Sequence, residues 1–476
     1  MIMKTASNQT NKAKKKWLIA LLVLTVLIGG IAILCVLSKK GPIFELGLVR
    51  SETMVLMLAF LLVLPLMLLM MAVLWTVDSR NRKKTGSLPQ GSDTPIVITA
   101  PVAVKAGDSP ADPAEENAPR FCMLSRIDES KRIYDARRYE EEVSLKRFCD
   151  NFRNYAAAEL RLYYDIKDIR RFIAGMAVSP IIILQGMSGT GKTSLAHAMG
   201  SFVRNTSTVI PVQPMWKERT DLLGYYNEFT KRFNETLLLE KMYEANYCKD
   251  IYITVLDEMN IARVEYYFAE FLPLLELPNP EERYLTVVSD TWASDPVQLK
   301  DGRIKLPVNM WFIGTANNDD STFAISDKVY DRAMVLDLDR KAERFVAPKT
   351  ERICLSAERF AKLTETAMQE YAVSSRNRKR LQMLDQYLIE HFHITFGNRI
   401  MKQINTYIPV YIACGGDELI ALDDILAKKV IRKLETQNPI YLRNAAEGLL
   451  GYLDELFGTE HMLACKDAIR RLQRNA

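Results

Sequence analysis

A glycine-rich stretch near the middle of the chain carries the clearest chemistry. Residues 186–193 read Gly-Met-Ser-Gly-Thr-Gly-Lys-Thr and match the pattern G-x-x-x-x-G-K-[ST] at every fixed position. The β-branched residues 181–183 come just before this stretch, and residues 194–202 have the composition of a helix. A strand, a loop and a helix in this order turn a row of backbone N–H groups around a phosphate. The stretch therefore predicts a phosphate-binding loop.

The residues of this loop have distinct expected roles. Glycines allow backbone angles that other residues reach only at a cost. Lys192 should reach the β- and γ-phosphates of a nucleotide, and the hydroxyl of Thr193 should hold Mg²⁺. The residues expected to bind the nucleotide are Gly186, Met187, Ser188, Gly189, Thr190, Gly191, Lys192, Thr193 and Ser194.

Two acidic residues follow a second apolar segment. Residues 251–256 are apolar and β-branched, which predicts a buried strand, and Asp257 and Glu258 stand at its carboxyl end. We expect Asp257 to bind Mg²⁺, directly or through water, and Glu258 to polarise the attacking water. The alternative is a pair of acids that opens a helix, where the helix dipole favours them. The phosphate loop upstream makes the catalytic interpretation the stronger one.

A third segment ends in amide side chains. Residues 310–315 predict a strand, and Asn317 and Asn318 follow it. Either amide is placed to hold the attacking water or the γ-phosphate. Arg332 lies beyond this strand, where it could supply positive charge to a neighbouring site. An arginine on a helix surface is the alternative for Arg332.

Alternating elements must position these residues. Strand and helix patterns alternate through residues 176–348, which predicts an α/β core with a parallel sheet. Residues 120–175 have a helical composition and predict a preface to this core. Residues 349–476 are helix-rich with few strand signals and predict a lid.

Two uncharged apolar stretches open the chain. Residues 17–37 and 53–77 are each long enough to span a bilayer of about 30 Å. Basic residues in the tail 1–16 and at 80–84 flank the two stretches, and the short loop 38–52 joins them. The positive-inside rule therefore predicts both termini in the cytoplasm and the loop outside. A cleaved signal peptide is the alternative for the first stretch, but its length and the second stretch favour a two-helix transmembrane hairpin. Residues 78–119 are rich in Pro and Ala and predict a disordered linker.

Charge is distributed unevenly along the chain. The sequence has 63 Lys and Arg against 58 Asp and Glu, a net charge of +5. Twelve of the basic residues and three of the acids fall within residues 1–84, so the remaining residues carry −4. The basic balance therefore belongs to the flanks of the predicted spans, and the charge of the remaining residues does not favour nucleic acid as a partner. The basic run 374–380 is accordingly interpreted as a solvated helix start. The seven cysteines have no metal-ligand spacing and predict no disulfide framework.

Several runs of residues resemble one family of nucleotide-hydrolysing proteins. Together they resemble the AAA+ ATPases of the dynein-related (McrB/MoxR-like) branch, and most closely its McrB-like group, from about residue 179 to the carboxyl terminus. The runs are residues 190–193, 212–216, 221–227, 256–260, 262–268 and 326–333. The resemblance implies a P-loop NTPase with a parallel five-stranded sheet flanked by helices and a C-terminal helical lid. It also implies a homo-oligomeric ring, commonly a hexamer, that uses ATP or GTP with Mg²⁺.

The resemblance also assigns roles to individual residues. Asn317 matches the first sensor, with Asn318 as the alternative, and Arg332 matches the arginine finger. Arg399, in the run Phe-Gly-Asn-Arg that starts at Phe396, matches the second sensor that touches phosphate. The expected catalytic residues are therefore Lys192, Glu258, Asn317, Arg332 and Arg399, and the expected metal ligands are Thr193 and Asp257.

Three functions compete on this evidence. The first is a membrane-anchored ATPase ring that remodels an unidentified protein partner at the cytoplasmic face of the cell membrane. The second is a GTP- or ATP-hydrolysing motor subunit of a McrBC-like nucleic-acid defence system. The third is a nucleotide-binding scaffold without turnover, which the complete set of catalytic residues disfavours. The predicted spans and linker occupy the place of a DNA-reading N-terminal domain, so the first function is preferred.

Overall fold

The computed structural model describes residues 119–131, 138–317, 322–339 and 342–475. Both predicted transmembrane spans, and all but the last residue of the predicted linker, lie outside these described residues. Among the described residues, no helix is both long and apolar enough to cross a membrane.

A parallel sheet of five strands forms the centre of the fold. Its strands lie in the order β10 (Met334–Asp337), β1 (Ile181–Gly186), β9 (Met310–Asn317), β5 (Tyr252–Asp257) and β2 (Thr208–Pro211). Every neighbouring pair is parallel. The predicted parallel five-stranded sheet is therefore confirmed. In chain order, the strands of the described residues are β1 (Ile181–Gly186), β2 (Thr208–Pro211), β3 (Gly224–Asn227), β4 (Arg232–Glu235), β5 (Tyr252–Asp257), β6 (Tyr284–Thr286), β7 (Leu299–Lys300), β8 (Arg303–Lys305), β9 (Met310–Asn317) and β10 (Met334–Asp337).

The central strands are apolar because both of their faces are covered. Successive side chains of a strand point to opposite faces of the sheet. Ile182 and Leu184 of β1 join one apolar cluster, which extends into the C-terminal helices. Ile181 and Ile183 join a second cluster on the other face. Continuous apolar runs of this kind are typical of parallel sheets that are buried on both sides.

Two small antiparallel sheets are attached to the core. Strands β3 and β4 pair as a hairpin, and strands β6, β7 and β8 form a second sheet in the order β6–β8–β7. Arg120, just before the first helix, ties the second sheet's loop to the body of the fold. Its buried guanidinium pairs with Asp290 and Asp295 at 2.9 and 2.7 Å and lies over the ring of Trp292.

Helices surround the sheet and form the C-terminal region. The helices of the described residues are α1 (Met123–Lys131), α2 (Leu145–Leu160), α3 (Ile166–Val178), α4 (Lys192–Phe202), α5 (Thr220–Leu223), α6 (Leu237–Ala245), α7 (Val264–Tyr267), α8 (Phe271–Glu276), α9 (Asp327–Tyr330), α10 (Ala357–Glu370), α11 (Ser375–Phe392), α12 (Gly397–Ala413), α13 (Glu418–Lys429), α14 (Pro439–Phe457) and α15 (Leu463–Asn475).

The first turns of most lid helices are fixed by their sequence. Side-chain oxygens of Ser356, Ser374, Asp417 and Asn438 accept hydrogen bonds from backbone N–H groups at the starts of α10, α11, α13 and α14. Such capping residues satisfy amides that have no partner inside the helix. Ser374 also opens the basic run 374–380, so the predicted helix start is confirmed.

Candidate active site

The phosphate loop connects β1 to α4 and has the backbone that its glycines allow. Gly186, Gly189 and Gly191 have φ angles of +141°, +77° and +94°. A side chain at Gly186 would place its Cβ 2.7 Å from the carbonyl oxygen of Leu338. Glycine is therefore required at this position by both conformation and space. The loop ends where α4 begins, so the space that it encloses lies at the helix N-terminus, which favours an anion.

A tyrosine from the helical preface supports the loop. The hydroxyl of Tyr164 donates a hydrogen bond to the carbonyl oxygen of Gly191 at 3.0 Å. Burial raises the pKa of Tyr164 well above its ordinary value, so the hydroxyl remains a donor. The preface therefore holds the last glycine before the catalytic lysine.

Lys192 lies inside the loop. Its side chain is buried, and its Nζ donates to the carbonyl oxygens of Gly186 and Met187, both at 2.9 Å. An ammonium held among the loop carbonyls has the charge that a triphosphate needs. The residues of the loop therefore fit a nucleotide phosphate.

The two expected metal ligands are brought together beside the loop. The hydroxyl of Thr193 donates to Oδ1 of Asp257 at 2.7 Å. The hydroxyl of Thr315 donates to the same Oδ1 at 2.9 Å and accepts from the backbone N–H of Glu258 at 2.9 Å. Hydroxyl and carboxylate oxygens suit Mg²⁺, which usually takes few protein ligands and completes its shell with water and phosphate. The oxygen donors of Thr193 and Asp257 therefore fit that ion.

Glu258 and Asn317 face each other at the same edge of the sheet. The amide Nδ2 of Asn317 donates to both carboxylate oxygens of Glu258, at 2.6 and 2.8 Å. Glu258 has a φ angle of +54°, a conformation that costs a non-glycine residue about 1–3 kcal/mol and is often found at functional sites. The amide therefore fixes the direction of the carboxylate. Asn318 lies outside the described residues.

Asn317 also offers an acceptor toward this edge. Among the described residues, its buried Oδ1 has no hydrogen-bond partner. Buried polar atoms in native proteins are rarely left without one, so a bound group is the natural partner. The backbone of Asn317 is held separately, because Nδ2 of Asn260 donates to its carbonyl oxygen at 2.9 Å.

The two expected catalytic arginines lie together on one carboxylate. Nε of Arg332 is 2.9 Å from Oε2 of Glu276, and Nε of Arg399 is 2.8 Å from Oε1 of the same residue. Nη2 of Arg399 also donates to Oε2 at 3.0 Å. The three side chains are partly exposed, so the pair of arginines is accessible from solvent.

This arginine pair lies at the edge of the sheet opposite the phosphate loop. The hydroxyl of Ser179, two residues before β1, donates to the carbonyl oxygen of Arg332 at 2.7 Å. Met334 pairs with Ile182 near the start of β1, whereas the loop begins at Gly186 at its end. Four residues of strand cover about 13 Å. The structure therefore does not bring Arg332 or Arg399 to the phosphate loop of its own chain.

Sequence reasoning missed four supporting residues. Thr315 and Asn260 organise the acidic pair and the amide, Tyr164 supports the loop, and Glu276 holds the two arginines. Thr315 carried a usable signal, because a threonine inside an apolar buried strand needs a hydrogen-bond partner. Glu276 carried none, since it is one of many glutamates at a helix end.

Comparison with known proteins adds a family assignment for the core. Residues 181–333 match the family model of the AAA domain of the dynein-related subfamily. This range holds the phosphate loop, the acidic pair, Asn317 and Arg332. Residues 181–333 therefore form an AAA domain of the dynein-related subfamily. The protein is an ATP-hydrolysing enzyme. AAA+ ATPases generally use ATP with Mg²⁺ and form oligomeric rings.

Other comparisons are weaker. No curated protein matches the chain. A "putative ATPase" from Cytophaga hutchinsonii ATCC 33406 is 14% identical with a TM-score of 0.43, and covers 70% of this chain and 98% of its own. A full-length MCM homolog from Methanopyrus kandleri is 12% identical with a TM-score of 0.35, covering 68% of this chain and 63% of its own. The functional assignment therefore rests on the family match and on the site.

Proposed function

We propose that the protein hydrolyses ATP at sites shared between neighbouring subunits of a ring. The observation that carries this proposal is the position of Arg332 and Arg399 at the sheet edge opposite the phosphate loop. Two accessible arginines on one carboxylate have no phosphate within their own chain to act on. A phosphate held by the next subunit is the ligand that suits their charge.

Each subunit would contribute distinct groups to the reaction. Thr193 and Asp257 would hold Mg²⁺, which neutralises phosphate charge when bound. Lys192 binds the β- and γ-phosphates, and Glu258, oriented by Asn317, accepts a proton from the attacking water. Arg332 and Arg399 of the neighbour stabilise the negative charge that develops on the γ-phosphate.

Mixing two inactive variants tests the shared site. Arg332→Ala and Glu258→Gln should each bind ATP and fail to turn it over. Mixed rings contain interfaces where an intact Glu258 faces an intact Arg332, so part of the ATPase activity should return. The measurement is ATPase rate against mixing ratio, with co-assembly checked by sizing and nucleotide binding checked with a fluorescent ATP analogue.

Two results would contradict the shared site. Co-assembled rings that never regain activity would count against a role for Arg332 across the interface. A dilution series of wild-type protein distinguishes the absence of shared sites from a ring in which every site must be intact at once. Activity per subunit that stays constant down to the monomer would exclude shared sites altogether.

We further propose that the ring is anchored in the cytoplasmic membrane, belongs to the McrB-like group and remodels a protein partner. The two predicted spans support the membrane anchor, and residues 212–216 and 221–227, which resemble the McrB-like group, support the group assignment. Cysteine labelling from outside intact cells should reach Gly41→Cys and not Ser87→Cys; the reverse pattern would contradict the topology.

Duplex DNA should leave the ATPase rate unchanged, whereas a clear rise would favour a nucleic-acid motor.

A further inference from the structure

A buried lysine of the lid lies against the backbone on both sides of Arg332. Lys429 is the last residue of α13, and it is only 3% exposed. Its Nζ donates to the carbonyl oxygen of Tyr330 at 2.7 Å and to that of Ala333, and it lies 3.5 Å from that of Asp331. These three carbonyls flank the residue that carries the expected arginine finger.

The turn that carries Arg332 presents carbonyl groups to the lid. Helix α9 has only four residues, so the carbonyls at its end lack intrahelical partners. An ammonium has three donors, which match the three carbonyls around it. Burying this charge would be costly without such partners. An apolar side chain could fill the same space, so the lysine is needed for its donors.

Other lid residues contact the same segment. Nε2 of Gln403 in α12 donates to the carbonyl oxygen of Asp331 at 3.1 Å. The guanidinium of Arg432 lies 3.7 Å from the ring centroid of Tyr330 and pairs with Asp327. Three lid residues therefore contact this turn, and Lys429 contacts it on both sides of Arg332.

We propose that Lys429 is a positioning residue for Arg332: its ammonium fixes the turn from which the arginine reaches the nucleotide of the neighbouring subunit. This inference rests on the proposed shared site. It predicts that loss of Lys429 damages the site of the next subunit and leaves the nucleotide site of its own chain intact.

Lys429→Met tests this positioning role, since methionine keeps a similar length without the donors. Misplacement of a catalytic group by about 1 Å can cost about 10²-fold in rate, so we expect kcat to fall about 10- to 100-fold. KM and the affinity for a fluorescent ATP analogue should not change. A variant that loses nucleotide binding or assembly instead would show a general structural role and contradict the proposal.

Neighbouring Lys428 provides a matched control. It precedes Lys429 in α13, but it pairs with Asp337 in β10. Within the described residues, no hydrogen bond or ion pair joins Lys428 to the Arg332 turn. Burial lowers the pKa of both lysines to about 7, so replacement by methionine removes an amino group of similar basicity in each case. Lys428→Met should keep its kcat. An equal loss of kcat in both variants would mean that Lys429 is no more than part of the lid core.

Mixing experiments decide which subunit's site is affected. Lys429→Met mixed with Glu258→Gln should regain ATPase activity, because the two defects fall in different halves of the shared site. Lys429→Met mixed with Arg332→Ala should show no gain over the average activity of the two variants, because neither contributes a correctly placed arginine. Recovery in the second mixture would contradict the proposal.

The control mixture separates failure of this proposal from failure of the shared site. If Arg332→Ala with Glu258→Gln recovers and Lys429→Met with Glu258→Gln does not, the shared site stands and the role of Lys429 is refuted. If neither mixture recovers, both proposals fail. Should Lys429→Met not fold, Gln403→Leu removes one donor from the same turn and should show the same mixing pattern with a smaller loss.

Discussion

The two edges of the central sheet are built differently. At the carboxyl edge, Thr193, Asp257 and Thr315 are linked by hydrogen bonds of 2.7 to 2.9 Å. The amide of Asn317 donates to both carboxylate oxygens of Glu258. At the amino edge, two partly exposed arginines share one carboxylate. The side chains at the first edge are linked by short hydrogen bonds, whereas the guanidinium groups at the second share an ion pair with Glu276 that solvent and salt weaken. The backbone around Arg332 is held separately by Ser179 and Lys429.

This difference indicates a division of labour within one subunit. Residues that must hold a phosphate and orient water need a rigid arrangement before the substrate arrives. Arginines that must meet a phosphate of another subunit need to leave their resting partner. Glu276 provides such a partner, because its one carboxylate pairs with both arginines and leaves their side chains partly exposed. Four variants test this comparison between a rigid edge and an exchangeable one.

Arg332→Ala should have the largest effect on turnover. An arginine contributed by a neighbour can supply about 10³–10⁵ in rate by stabilising charge in the transition state. ATP affinity should be retained, because the phosphate loop lies at the other edge. Steady-state kinetics and binding of a fluorescent ATP analogue give the two values. Loss of ATP affinity would place Arg332 in the binding site of its own chain.

Glu258→Gln should reduce kcat by about two to four orders of magnitude, the usual contribution of a general base. The variant should still bind ATP, since the loop and Lys192 are unaffected. Lys192→Ala is the contrasting variant, because it should weaken ATP binding itself. Turnover near the wild-type rate in assembled Glu258→Gln would show that another group activates the water.

Thr315→Val removes the hydroxyl that joins Asp257 to the backbone of Glu258. Loss of a buried hydrogen-bonding group costs about 1–3 kcal/mol, so the free energy of unfolding should fall by that amount. A loss of about 1.4 kcal/mol of transition-state stabilisation lowers a rate about tenfold, and we expect turnover to fall by about that factor. Thr315→Ser keeps the hydroxyl and should retain most of both. If serine and valine behave alike, the methyl group and not the hydroxyl is important.

Glu276→Gln should have the smallest effect. Exposed ion pairs contribute about 0–1 kcal/mol, so the free energy of unfolding should change by no more than that. Turnover should persist, because Arg332 and Arg399 remain free to meet a phosphate. Urea denaturation and ATPase assays measure the two quantities. A loss comparable to that of Thr315→Val would mean that the amino edge is as rigid as the carboxyl edge, and the comparison would fail.

Local features of the sequence determined much of the fold. The phosphate loop is contiguous, and its glycines allow the backbone angles that it adopts. Apolar runs predicted the buried strands, and the pattern of residues 237–245 corresponds to helix α6 (Leu237–Ala245). The Asp257–Glu258 pair was identified because a strand end and two carboxylates are adjacent in the chain.

Only the tertiary structure decided which distant side chains meet. The hydroxyl of Thr315 reaches Asp257 because β9 lies beside β5, although the two residues are 58 positions apart. Arg399 meets Glu276 across 123 positions, and Lys429 reaches Tyr330 across 99. Such contacts depend on strand order and on how the lid packs, and a lone arginine or lysine in the sequence carries no trace of either. The sequence therefore predicted the candidate catalytic groups, whereas the packing of the chain determined which edge of the sheet each one occupies.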